Sequence, residues 1–209
     1  MGTQERKLRE RERRRQAILD AAESLFFEMG LEKSTMDMLA EKTELSKGTL
    51  YLYFASKDQV YYAIHVRAKK LLCQYLAEAA GKKGTGLQQV LAMGQAFLNF
   101  AQTYPNYFRA IAFYDLPGGS VAEEPWATEA HLYGLQGIDY CVRALKTGQK
   151  DGSIRMDIEA NSMALVLVAQ LKGLVMLMQA PPPLDGAEEF NPVALEAAMF
   201  DLVRAGLSR

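Results

Sequence analysis

The stretch from Ser34 to Phe54 constrains this chain more than any other. It reads as two short helices around a tight turn at Glu44-Leu45. Ser34 is placed to cap the first helix, with Asp37 three residues on in the reciprocal position. Met38 and Leu39 are its core-facing residues, and Ser46 caps the second helix. On the second helix Leu50 and Phe54 share one face. Gly48, Thr49 and Leu52 point the opposite way, flanked by Lys47 and Tyr51 on one side and Tyr53 on the other. Glycine inside a helix costs roughly 0.5–1 kcal/mol against alanine, so an ordinary helical hairpin gives no reason for Gly48. Close approach of another molecule does. The layout suits a helix N-terminus entering the DNA major groove while the first helix braces it.

The pattern from Gly48 through Phe54 to Lys57 resembles the recognition helix of the TetR family of transcriptional regulators, with the entry to its long fourth helix. The run from Ile18 to Phe26, followed by Gly30, resembles that family's first helix. These motifs cover about the first quarter of the chain; the remainder is similar in length and helical character only. Glu44 departs from the pattern, standing where the family usually has glycine. At positive φ it carries a penalty of the order of 1 kcal/mol. The resemblance implies a DNA-binding regulator that dimerises through its last two helices.

Charge placement agrees with a nucleic-acid partner. Across 209 residues the net charge is −1, yet residues 1–15 hold seven Lys/Arg against three Glu, a local +4 that leaves −5 for the rest. Cations at a helix start oppose the helix dipole, and a phosphate backbone is the economical compensation, although Glu10 and Arg14 could also pair at i,i+4. The expected DNA contacts are Arg14, Arg15, Ser34, Thr35, Ser46, Lys47, Gly48, Thr49, Tyr51, Leu52, Tyr53 and Lys57. Lys47, Gly48 and Thr49 meet base edges and Leu52 a thymine methyl, while Thr35, Tyr51, Tyr53 and Lys57 hold phosphates.

Punctuation along the chain predicts an all-α fold of about nine helices. Ser56 and Gln59 form a capping box opening a helix to about Ala80, and the glycines between Gly81 and Gly86 break it. Further helices run from Leu87 to Tyr104 and from Asn106 to about Tyr114. After a loop at Pro117-Gly118-Gly119, another runs from Pro125 to about Lys150. Asp157 is expected to cap the next, which ends near Gln179 before Pro181 to Pro183. Asn191-Pro192 opens the last. The expected organisation is a basic flexible arm at 1–10, a helix-turn-helix domain at 11–55, and a helical effector-binding and dimerisation domain at 56–209.

The segment from Glu159 to Gln179 is apolar around its whole circumference, which a peripheral helix of a small monomer rarely is. With the last helix it predicts a twofold interface through Leu165, Val168, Leu171, Val175, Met199 and Leu202. Lys172 near its middle argues for a buried soluble helix over a membrane span. Aromatic and thioether side chains crowd the middle of the chain, and Phe97, Phe100, Tyr104, Phe108, Trp126, His131, Tyr133 and Met163 are the candidate pocket. Each of these would also serve as ordinary core. Gly134 and Gly137 would let a ligand or neighbouring helix come close. Few cations lie along this wall, which argues against a multiply anionic ligand.

No catalytic constellation emerges. His65, expected on a helix surface, and His131, expected at the core or a pocket edge, lack partners at metal-ligand spacing, so neither metal nor cofactor is expected. Cys73 and Cys141 stand far apart in apolar surroundings, and the charged N-terminus has no apolar leader segment. A cytoplasmic protein with buried, reduced thiols follows. The expected function is a homodimeric repressor released from a pseudo-palindromic operator by a small apolar or aromatic effector. The alternative is a DNA-bound architectural or protein-regulated factor on the same fold.

Overall fold

The computed structural model describes residues 3–112, 125–179 and 191–208, and these residues form helices with no strand among them. The loop expected at Pro117-Gly118-Gly119, the stop at Pro181 to Pro183, and the side chain of Trp126 lie outside the described residues. The chain divides into two compact units, Met1–Ala68 and Lys69–Arg209.

In the first unit, α1 (Thr3–Met29), α2 (Met36–Lys42) and α3 (Lys47–Tyr51) precede the long α4 (Lys57–Ala80), whose first half belongs here. The segment expected to be a flexible arm is instead the start of α1, because Thr3 to Met29 contains neither glycine nor proline and is rich in Arg, Glu, Gln and Leu, all strong helix formers. Its side chains from Gln4 to Arg14 are exposed. Burial begins with Ile18, Leu19, Ala22, Leu25 and Phe26, and Leu39, Leu50, Phe54, Val60 and Ile64 are buried with them in this unit. Arg67 fastens α4 to α1, donating through Nη1 to Asp20 Oδ1 at 2.7 Å and Glu23 Oε1 at 2.8 Å. These contacts explain why the first unit reaches Ala68 rather than ending at 55. His65, expected at a surface, is buried beside Tyr62, their rings 5.3 Å apart.

The second unit holds the rest of α4 with α5 (Gly86–Thr103), α6 (Pro105–Ala112), α7 (Pro125–Asp151), α8 (Ala160–Gln179) and α9 (Pro192–Leu207). Thr85 and Gln88 close a capping box at the start of α5. Beside it α5 passes α7 so closely that a Cβ on Gly86 would lie 2.0 Å from the Gly148 nitrogen. Gly86 N–H donates to Asp151 Oδ2 at 2.8 Å. Asp157 does not cap α8, because Arg155 Nε donates to its Oδ1 at 2.6 Å. Glu159 takes the role, accepting from the backbone N–H groups of Asn161 and Ser162 at 2.8 and 2.6 Å. Asn191 caps α9 ahead of Pro192, as its sequence position implies.

Candidate nucleic-acid interface and effector cavity

The turn between α2 and α3 closes with two backbone bonds, Glu44 N–H to Glu41 O and Leu45 N–H to Ala40 O, each 3.0 Å. This is a Schellman ending, which needs a left-handed residue, and Glu44 supplies it at φ +55. Ser46 Oγ then accepts from Thr49 N–H at 3.2 Å and caps α3. Leu50 and Phe54 are buried beneath, so the opposite face of α3 is turned outward. There Leu52 is 75% exposed and Tyr51 48%. A Cβ added to Gly48 would meet nothing within 4 Å, so no internal contact demands glycine at that position.

Several expected contacts have other employment. Ser34 is 1% exposed and its hydroxyl donates to Gly30 O at 2.8 Å; it cannot reach DNA. Thr35 caps α2 instead, accepting from Met38 N–H at 3.2 Å, since Ser34 is drawn into the turn behind it. Asp37 serves no reciprocal cap and accepts a hydrogen bond from Lys47 Nζ at 2.6 Å. Lys57 donates to Leu31 O at 2.8 Å and Ser34 O at 3.1 Å. It staples the loop before α2 rather than projecting to a phosphate. Arg15 lies over the Phe54 ring, 5.1 Å from its centroid, whereas Arg14 is exposed.

Within the second unit α4, α5, α6, α7, α8 and α9 line a partly open apolar cavity of about 240 Å³. Of the aromatics expected to line a pocket, Phe97 and Tyr133 do so. Phe100 and Phe108 are wholly buried core, because rings from three helices satisfy one another: Tyr75 packs on Phe100 at 5.8 Å and Phe97 on Phe108 at 5.9 Å. Tyr104 stacks on Tyr107 at 5.8 Å, Met163 packs against the core, and His131 is exposed. Gly134 and Gly137 line the cavity from α7. So do Lys69, Cys73, Cys141 and Lys172, none of which sequence reasoning assigned to it. Cys73 is buried and Cys141 half-buried, not fully buried as expected. Burial pushes the Cys73 thiol up and that of Cys141 up to about 11, so both stay protonated and weakly nucleophilic.

The expected interface residues also separate. Val175 is core, and Val168, Leu171 and Met199 line the cavity. Leu165 and Leu202 remain outward, the latter 72% exposed, alongside Val166, Met176, Leu177 and Val193. Helix α8 is thus buried along one stripe only, and its other apolar side is bare in the single chain.

The family model for bacterial regulatory proteins of the tetR family matches residues 18–64, the span that carries the turn and α3. The chain carries a TetR-family domain at its N-terminus. Among curated TetR-family relatives, the A-factor receptor protein of Streptomyces griseus is 27% identical over 165 residues, covering 78% of this chain and 54% of the receptor. The nucleoid occlusion factor SlmA of Glaesserella parasuis is 31% identical over 99 residues, 47% of this chain and 49% of that protein. The chain spans about half the length of the curated relatives it matches. The fold extends further than the sequence likeness. The transcriptional regulator FadR of Bacillus subtilis, solved with stearoyl-CoA, superposes with a TM-score of 0.69 at 16% identity, over 91% of this chain and 98% of that one.

Proposed function

We propose that the chain is a DNA-binding transcriptional regulator, acting as a homodimer that a small effector releases from a pseudo-palindromic operator. The observation that carries the DNA-binding half is the outward face of α3. Gly48 is open, and the large side chains of Leu52 and Tyr51 are exposed beside it. Lys47, Gly48 and Thr49 read base edges and Leu52 a thymine methyl, with Thr35, Tyr51, Tyr53 and Arg14 on phosphates. Ser46 contributes as the cap that holds Thr49. Ser34 and Lys57 support the reader from behind.

The bare side of α8 and the outward residues of α9 form the dimer surface, led by Leu165, Val166, Leu177 and Leu202. An isologous pairing would bury them against their own copies. The cavity is the effector site. Helix α4 carries Lys69, Leu72, Cys73 and Leu76 on the cavity wall and begins at Lys57, shortly after the reader helix, which gives a ligand a continuous stretch of backbone through which to act. A thousandfold release requires the effector to favour the released shape by about 4 kcal/mol.

A second reading, a DNA-bound factor controlled by a protein partner, draws on the likeness to SlmA. The cavity favours the first. Selection of operators from a random DNA pool, followed by a small-molecule panel scored for operator release, tests both. Failure to enrich any palindromic sequence would remove the regulator reading, and operators that no ligand releases would favour the second. Within the enriched site, Thr49→Ala should relax discrimination at one base position by about 1–3 kcal/mol.

A further inference from the structure

The cavity wall in the second unit is apolar almost throughout, and among the described residues its charged lining consists of Lys69 on α4 and Lys172 on α8. Both are half-buried. Among the described residues neither makes an ion pair or a hydrogen bond. Other cations of the chain find acids readily, as Arg67, Arg143 and Arg155 do. The Lys69 ammonium is accommodated by a gap in the facing helix: its Nζ lies 3.6 Å from where a Cβ on Gly134 would stand. Burial, then the field of Lys172, holds the Lys69 ammonium below the usual lysine range. Two like charges at one apolar hole disfavour each other, and a buried charge without a counter-ion is costly. An anion in the hole removes both penalties.

We propose that the effector is a monoanionic amphiphile, its acidic head held by Lys69 and Lys172 and its apolar body filling the cavity beside Phe97 and Phe200. This rests on the reading of the cavity as the effector site. A dry apolar cavity of roughly 150 Å³ accepts benzene, so one of about 240 Å³ takes a body on the order of ten non-hydrogen atoms. A single carboxylate matches two ammonium donors and the apolar wall; a cationic head meets repulsion from both.

Isothermal titration of the full chain without DNA, using octanoate, 1-octanol and octylammonium, tests the assignment. Octanoate should bind at least tenfold more tightly than octanol, and octylammonium more weakly than either. In Lys172→Met and Lys69→Met the preference of octanoate over octanol should collapse while octanol affinity is kept or improved, and Lys172→Arg should restore it. The ligand series on the unsubstituted protein stands by itself if a variant fails to fold. Equal affinity for octanoate and octanol, tight octylammonium binding, an unchanged preference in both methionine variants, or no binding at all would each overturn the proposal. Operator release is scored separately. Octanoate binding without release leaves the anion site standing and removes the switch, whereas octanol binding with release does the reverse.

Discussion

Lys47, the first residue of α3, places its Nζ 2.6 Å from Oδ2 of Asp37 in the first turn of α2. The pair ties the two helices of the reader together on an exposed surface, where such pairs contribute at most about 1 kcal/mol. The same ammonium is a candidate base contact, so DNA and Asp37 compete for it.

Asp37→Asn should therefore raise operator affinity several-fold with little change in thermal stability. Glu41→Gln, on the same helix, changes net charge equally without freeing Lys47 and serves as the control. Anisotropy titrations at several salt concentrations distinguish them. An equal gain in both variants would mean only bulk charge matters.

Glu44 sits at φ +55 in the Schellman turn, a conformation that costs a residue with a Cβ about 1 kcal/mol. Glu44→Gly should stabilise the protein by about that amount, raising Tm by roughly 2–4 °C for a chain of this size. Glu44→Ala should give no such gain. Similar melting of the two variants would show that the φ is not the source of strain.

Two glycines should respond in opposite ways. Gly86→Ala drives a Cβ to 2.0 Å from the Gly148 nitrogen, and overpacking against backbone should cost at least about 1–3 kcal/mol. Gly48→Ala meets nothing and should stabilise α3 by roughly 0.5–1 kcal/mol while weakening operator binding. Melting curves read the first, and DNA titration the second. A Gly48→Ala protein that binds operator normally would withdraw the close-approach argument.

Leu165→Glu or Leu202→Glu should give folded monomers that no longer hold the operator, by sedimentation and circular dichroism. Leu171→Glu is the wrong probe, because Leu171 lines the cavity. Tight operator binding by a monomer would end the twofold reading.

Two bonds from the Asn161 and Ser162 backbone N–H groups hold Glu159 down to about 2, from an ordinary value of 4.5. A depressed carboxylate contributes its stability above the unfolded value and loses it as pH falls through the folded one. Urea midpoints should thus decline between about pH 4.5 and pH 2, and Glu159→Gln should flatten that decline. Identical slopes would assign the acid sensitivity elsewhere, with Asp157, held at about 2 by Arg155, the next candidate.

Features set by neighbours within one turn were legible in the chain itself: the caps at Ser46 and Asn191, the buried pair Leu50 and Phe54, the strained Glu44, and the breaks at Gly81 to Gly86, Pro105 and Gly152. Each depends on i to i+4 geometry and on φ preferences that a residue carries with it. Tertiary packing alone decided the rest. It buried Ser34, turned Lys57 onto carbonyl oxygens, and swapped the expected settings of His65 and His131. It also gathered Lys69 from α4 and Lys172 from α8 at one cavity. Helical periodicity says which residues share a face. It does not say which face meets which helix, and a lysine is a surface cation or a buried anchor only once its neighbour across the fold is chosen.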